Sequence, residues 1–124
     1  MTVLVDSDIL IEVLRGRDRQ ILTRWMELGE SSDFILYSPV SVAELWHGAR
    51  AQEHQALEGL FRALICIPVD ADTGRRAGDF LRAYHKSHSV ELGDALIAAA
   101  AQQQNAILWT RNRKHYPMRD LIFF

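Results

Sequence analysis

The stretch "TVLVDSDILIEVLRG", residues 2–16, decides the fold class. Residues 2–5 are a compact run rich in β-branched side chains, which reads as a short buried strand ending at Asp6. Beyond it, Ile9, Leu10, Val13 and Leu14 recur on one helical face, and Gly16 stands where a helix-stopping glycine is expected. A short strand passing directly into an amphipathic helix is the unit from which the rest of the chain can be read.

Working outward, Asp18 caps a second helix, "RQILTRWMEL", with Ile21, Leu22, Trp25 and Met26 as its stripe and Gly29 as its stop. "FILY" (34–37) is a second strand, closed by Ser38-Pro39. "SVAELWHGARAQEHQALEGLFRALI" (41–65) reads as two helical segments with Leu57, Leu60, Phe61 and Leu64 inward. "CIPV" (66–69) is a third strand, Asp72 opens a helix, and "LGDALIAAAAQQQNAILWT" (92–110) is an alanine-rich helix followed by a fourth strand. The turn "RNRKHYP" then leads to "LIFF", a last strand (121–124). Short strands alternating with helices imply a parallel sheet covered on both faces. The expected fold is an α/β, three-layer α/β/α sandwich with a mostly parallel sheet of four to five short strands. A length of 124 residues makes it a single domain. Functional groups in such sheets gather beyond the carboxyl ends of the strands.

Composition narrows the function classes. At 48% apolar and 24% charged, the chain has an ordinary globular balance and can fold without disulfide or zinc support. Its one cysteine, Cys66, rules out an intrachain disulfide and a cysteine-based zinc cluster, and the apolar setting "LICIPV" reads as a buried thiol. The opening "MTVLVDSD" lacks the pattern of a signal peptide, and no run of about 18 apolar residues could cross a membrane, so a cytoplasmic location is expected. A net charge of −2 does not suit a globally basic nucleic-acid binder. Arg111, Arg113, Lys114 and Arg119 nevertheless form a run without an acid, either a solvated face or a phosphate contact.

Three acids fall on the site-forming edge: Asp6 after the first strand, Glu44 in the first turn of the helix after the second, and Asp94 in the first turn of the alanine-rich helix. Each alone has a structural reading. Asp6 and Asp8 fit turn or cap positions, Ser41 and Glu44 fit an S-x-x-E capping box, and Asp94 suits a helix dipole. Brought together, they would repel one another, and a hard cation with oxygen ligands such as Mg²⁺ or Mn²⁺ would relieve the conflict. No histidine spacing matches a zinc motif, and no phosphate-binding G-x-x-x-x-G-K-[ST] loop occurs. The residues themselves therefore indicate metal-assisted phosphate chemistry, with phosphodiester hydrolysis and aspartyl phosphorylation both open.

Four segments in order, "LVDSDILIEVL", "SVAELWHGA", "LGDALIAAAA" and "LWTRNRKHY", together resemble the PIN domain, and most closely the VapC-type toxins of bacterial toxin–antitoxin modules. The resemblance runs from residue 3 to residue 116. It implies a Mg²⁺- or Mn²⁺-dependent endoribonuclease with Asp6, Glu44 and Asp94 as catalytic metal ligands, leaving a 5′-phosphate and a 3′-hydroxyl. It also implies a homodimer and an antitoxin whose C-terminal segment lies over the active-site groove, where Trp25, Trp46 and Phe61 are candidate contacts. Many PIN domains carry a fourth acid in the turn after the fourth strand; "TRNRKHYP" has none. Thr110, Asn112, His115 and Ser7 are expected to orient water or contact phosphate there, and Arg111, Arg113 and Lys114 to hold RNA backbone. Glu91 is read as a loop acid. The alternatives are an RNA-processing nuclease without a toxin role, a binding module that lost activity with the fourth acid, and a D-x-D phosphatase, for which the chain has little room.

Overall fold

The computed structural model describes residues 1–124. Strands β1 (Thr2–Val5), β2 (Phe34–Tyr37), β3 (Ile65–Cys66) and β4 (Ile107–Trp109) form one sheet in the order β3-β2-β1-β4. Every pairing is parallel, with Val3 opposite both Ile35 and Ile107. Six helices connect them: α1 (Ser7–Arg15), α2 (Arg19–Glu30), α3 (Pro39–Gly48), α4 (His54–Ala63), α5 (Ala71–His88) and α6 (Leu92–Gln103).

Alternation along β1 explains the layers. Leu4 packs with Leu36, Leu108 and the α6 alanines on one face, while Val3 and Val5 pack with Ile9, Leu10, Leu57 and Phe61 on the other. Ala95, Ala98, Ala99, Ala100 and Ala101 are all buried, so α6 lies enclosed between the sheet and its neighbours. Small side chains permit that enclosure, and they fix the helix that carries Asp94.

Local capping chemistry sets the helix boundaries. Asp6 accepts from Ser7 N at the start of α1, and Gly16 ends it at φ 66°, a conformation glycine adopts without a Cβ penalty. Asp18 accepts from the amides of Gln20 and Ile21 at the start of α2, as its sequence position suggests.

Three expectations need correction. Helix α5 starts at Ala71, not at Asp72, because Asp70 and Thr73 close a reciprocal cap while Asp72 pairs with Arg76. The third strand is Ile65–Cys66, and Cys66 is exposed because β3 is a two-residue edge strand that the helices do not cover. "LIFF" makes a single parallel bridge, Phe123 to Leu108, secured by Leu108 N to Ile122 O and Phe124 N to Leu108 O. Its hydrogen bonds centre on one residue of β4, so no further strand propagates. No helix is long and apolar enough to cross a membrane.

Candidate active site

Asp6 is the fixed point of the site. The residue is 7% exposed, and its carboxylate is held from three directions. Oδ1 accepts from Ser7 N at 2.8 Å; Oδ2 accepts from Thr110 Oγ1 at 2.8 Å and from the Tyr116 hydroxyl at 2.9 Å. A carboxylate offers about four acceptor positions, so Oδ2 is filled and Oδ1 keeps one free. Burial and the Asp6 charge push the Tyr116 phenol far above its ordinary pKa, which keeps it a donor.

Glu44 comes to this edge from α3. Ser38 caps that helix through Val40 N, with Pro39 at its first position. Glu44 therefore lies in the second turn rather than the first, and Ser41–Glu44 is not a capping box. Ser41 is instead fully buried, with its hydroxyl 2.8 Å from Ser7 Oγ, which in turn lies 3.0 Å from Glu44 Oε1. Each hydroxyl has one proton. If Ser41 donates to Ser7, Ser7 is free to donate to Glu44, and the chain fixes one Glu44 oxygen.

Asp94 closes the third side. Its Oδ2 accepts from Glu91 N at 3.2 Å, at the start of α6. The capping and functional readings of this residue thus coexist. Gly93 brings α6 close to α3: a Cβ there would lie 3.6 Å from Val40 Cγ1 and 3.8 Å from Glu44 Oε1. His115, in a 3₁₀ turn after β4, has Nδ1 3.7 Å from Asp94 Oδ2.

The electrostatics follow from this crowding. Burial raises the Glu44 pKa, and Asp6, Asp94 and Glu91 raise it further against the Ser7 hydrogen bond. Asp94 is raised by burial and by Asp6 and Glu91, against the Glu91 amide and His115. Asp8 rises from 3.8 to about 6 through burial and Asp6. Its Oδ2 accepts from Arg111 N at 2.9 Å, while Oδ1 is buried without a partner. An oxygen-only set of carboxylates held in mutual repulsion, with an acceptor position left on Asp6, suits a hard divalent cation. In this conformation no three such side chains are drawn into a formed ligating group.

A family model of the PIN domain matches residues 3–121. The chain is a PIN domain. Ribonuclease VapC10 of Mycobacterium tuberculosis is 40% identical over 121 residues, covering 94% of this chain and 86% of that protein. Ribonuclease VapC19 of the same species is 35% identical over 116 residues, covering 93% and 92%. VapBC2 from Rickettsia felis, solved with a fragment of promoter DNA, superposes with a TM-score of 0.80 over 100% of this chain and 98% of that one, at 23% identity. That last likeness is one of fold.

Within this PIN domain the turn after β4 departs from the expected cation-lined entrance. Arg111 folds back on α1, with guanidinium nitrogens 3.5 Å from Glu12 and 3.8 Å from Asp18. Arg113 lies 5.0 Å over the Phe123 ring and donates to Phe124 O. Lys114 and the Asn112 side chain are exposed and carry no hydrogen bond. Thr110 binds Asp6 directly and receives Asn112 N at 3.0 Å. Of the aromatic candidates, Phe61 is buried against Tyr37 and Trp25 stacks on Trp109. Trp46 is exposed and stacks on His54 at 4.2 Å. The sequence reading gave no role to Tyr116 and left Ser41 and Asp8 outside the site. The available signal for Tyr116 was a lone aromatic after a run of exposed polar residues, and it is a weak one.

Proposed function

We propose that this PIN domain is a divalent-metal-dependent endoribonuclease and the toxin of a toxin–antitoxin pair. The observation that carries the reading is the meeting of Asp6, Glu44 and Asp94, from three separate elements, within one another's field at the end of β1. Its two relatives named as ribonucleases, each covering more than nine-tenths of this chain, support RNA as the substrate. The fold shared with VapBC2 of Rickettsia felis supports an antitoxin partner, and a homodimer is the assembly we propose with it.

Asp6, Glu44 and Asp94 would hold the ion, Mg²⁺ or Mn²⁺. What the ion supplies is a lowered pKa for a bound water and charge stabilisation at phosphorus. The protein's own contribution is positional. Tyr116, Thr110 and Ser7 N immobilise Asp6, so its remaining acceptor position points one way. The Ser41–Ser7 chain does the same for one Glu44 oxygen. His115 beside Asp94 offers a proton or a positive charge to a phosphate oxygen, and the Asn112 amide on the same turn offers a neutral hydrogen bond. Neither replaces a fourth carboxylate in charge, which favours one tightly held ion over two.

The test uses protein freed of any partner, structured RNA, and Mg²⁺ or Mn²⁺ with and without chelator. Cleavage should require the ion and be lost in Asp6→Asn and in Asp94→Asn. Full cleavage by both variants, or unchanged cleavage in chelator, would sink the assignment. Binding of RNA with no cleavage under any ion would favour the binding-module reading.

A further inference from the structure

Three shallow depressions follow one another away from the carboxylates, each sharing a lining residue with the next. The first, about 350 Å³, lies between α3 and α6 and is lined by Glu44 and Asp94. Glu44 also lines the second, about 360 Å³, with Ser7, Ile11 and Arg15. Arg15 opens in turn into the third and largest, about 590 Å³, walled by Leu14, Arg17, Arg50 and Glu53. Ser7, Ile11 and Arg15 are spaced by four on α1 and so share one face. At 1.5 Å per residue, that face carries the cleft about 12 Å from the carboxylates to the arginines.

The far end is built with care. Glu53 is gripped from both sides: Arg15 donates through Nε at 3.2 Å and Nη2 at 3.4 Å, and Arg50 through Nε at 3.2 Å and Nη2 at 3.3 Å. Arg50 N adds a further bond at 3.0 Å. The two guanidiniums, Arg50 first, hold the Glu53 carboxyl down to about 2, so it stays ionised. One carboxylate thus serves two guanidiniums and leaves one positive charge over. Each guanidinium has five N–H groups and spends two on Glu53, leaving three to point elsewhere. The Glu53 side chain is 10% exposed and that of Arg50 is 63%, so the cations cover the acid and face the cleft. Arg17 stands at the mouth with its guanidinium on Glu12. By contrast, Arg111 is shared between two acids and Arg113 lies on an aromatic ring, which leaves little of either for a phosphate.

We propose that Arg15 and Arg50, clamped by Glu53 at the far end of the α1 cleft, form a backbone-phosphate subsite that threads a single RNA strand toward the carboxylates. The proposal rests on the nuclease reading for its substrate. Planar guanidiniums fixed by a shared carboxylate are preorganised for bidentate contact with phosphate, and this contact carries no base specificity. It gives the strand a direction: an anchor at one end, and the ion-dependent centre at the other, where bare carboxylates would repel it.

The experiment measures binding of a fluorescent mixed-sequence RNA oligonucleotide in chelator, across a salt series, for wild type, Arg50→Gln, Glu53→Gln and Lys86→Gln. Lys86 is an exposed cation on α5, away from the cleft lining. Arg50→Gln should weaken binding about tenfold and flatten the log–log salt slope by about 0.7, the loss of one phosphate contact to a single strand. Glu53→Gln releases the clamp that orients both guanidiniums and should weaken binding less than Arg50→Gln, because the negative charge it removes offsets part of the lost orientation. Lys86→Gln should change neither by a comparable amount. A purely structural salt-bridge network gives unchanged RNA affinity in both cleft variants, with any loss confined to the melting temperature, and that result overturns the proposal. Equal effects of Arg50→Gln and Lys86→Gln overturn it as well, since they indicate diffuse charge. An oligoglutamate peptide that binds through Arg50 while RNA binding ignores it would assign the subsite to an acidic protein segment instead. RNA binding that depends on Arg50 in a protein that never cleaves removes the nuclease reading and keeps the subsite. Intact cleavage with unaltered binding removes the subsite alone.

Discussion

Tyr116→Phe tests the part of the site that no motif announced. The hydroxyl donates to Asp6 Oδ2 at 2.9 Å, both residues are buried, and the donor and acceptor are 110 positions apart. Replacement by Phe keeps the ring and its packing and removes one donor to a charged acceptor. Such a bond is worth about 1.5–3 kcal/mol, and Thr110 remains on the same oxygen, so a loss near the lower end, about 1.5–2 kcal/mol, is expected. For a chain of this size that corresponds to a fall of about 5–10 °C in melting temperature. Thermal and urea unfolding in chelator read it directly. Thr110→Val is close to isosteric and should cost a similar amount alone. Together the two variants should cost more than their sum, because only the double variant strips Oδ2 of every donor. RNA cleavage should fall in Tyr116→Phe as Asp6 gains freedom. A variant that melts within about 1 °C of wild type and cleaves normally would show that the hydroxyl does not hold Asp6.

Ion-free protein should become more stable as pH falls from about 7.5 to about 5. The folded pKa values of Glu44, Asp94 and Asp8 lie above their unfolded ones, so their contribution is full below the unfolded pKa and is lost as pH rises through the folded values. Asp8 alone, moved from 3.8 to about 6, accounts for about 1–2 kcal/mol after allowance for its partial solvent contact. The lowered carboxyls Glu53, Asp70 and Asp72 act below about pH 4, outside that window. A urea midpoint that rises from pH 5 to 7.5 in chelator would contradict this. Saturating Mn²⁺ should raise the melting temperature of wild type, by about 2.7 kcal/mol of stabilisation at a hundredfold excess over the dissociation constant, and much less in Asp94→Asn. Equal shifts in the two proteins would place the ion elsewhere. Asn112→Ala should reduce cleavage less than Asp94→Asn does; an equal loss would give the Asn112 amide a direct part in holding the ion.

The layers of the fold were legible because the instructions for them are local. The run 2–5, the stop at Asp6 and the stripe through Leu14 each act within a few residues, and so does the cap at Asp18. The sheet edges were not, since Cys66 is exposed and "LIFF" reduced to one bridge by what does or does not lie beside them. Among the site residues, the three acids could be picked out because each stands at a strand end or helix start. Of the groups that hold them, Ser7 and Thr110 stood out beside the acids, whereas Ser41 and Tyr116 did not. Ser41 looked like one half of a capping box until Ser38 was seen to cap α3, and Ser41 then proved to be part of the Glu44 support. Tyr116 reaches Asp6 only after the chain has closed on itself. Asp8 looked like a second cap, and its docking on the Arg111 amide depends on how β4 turns back over α1.

The central claim is that carboxylates from β1, α3 and α6 form one ion-dependent centre that hydrolyses RNA. End-group analysis of the fragments made by partner-free protein tests it most directly. The fragments should bear 5′-phosphate and 3′-hydroxyl ends that appear with Mg²⁺ or Mn²⁺ and vanish with chelator. Ends bearing a 2′,3′-cyclic phosphate, formed equally well in chelator, would contradict it.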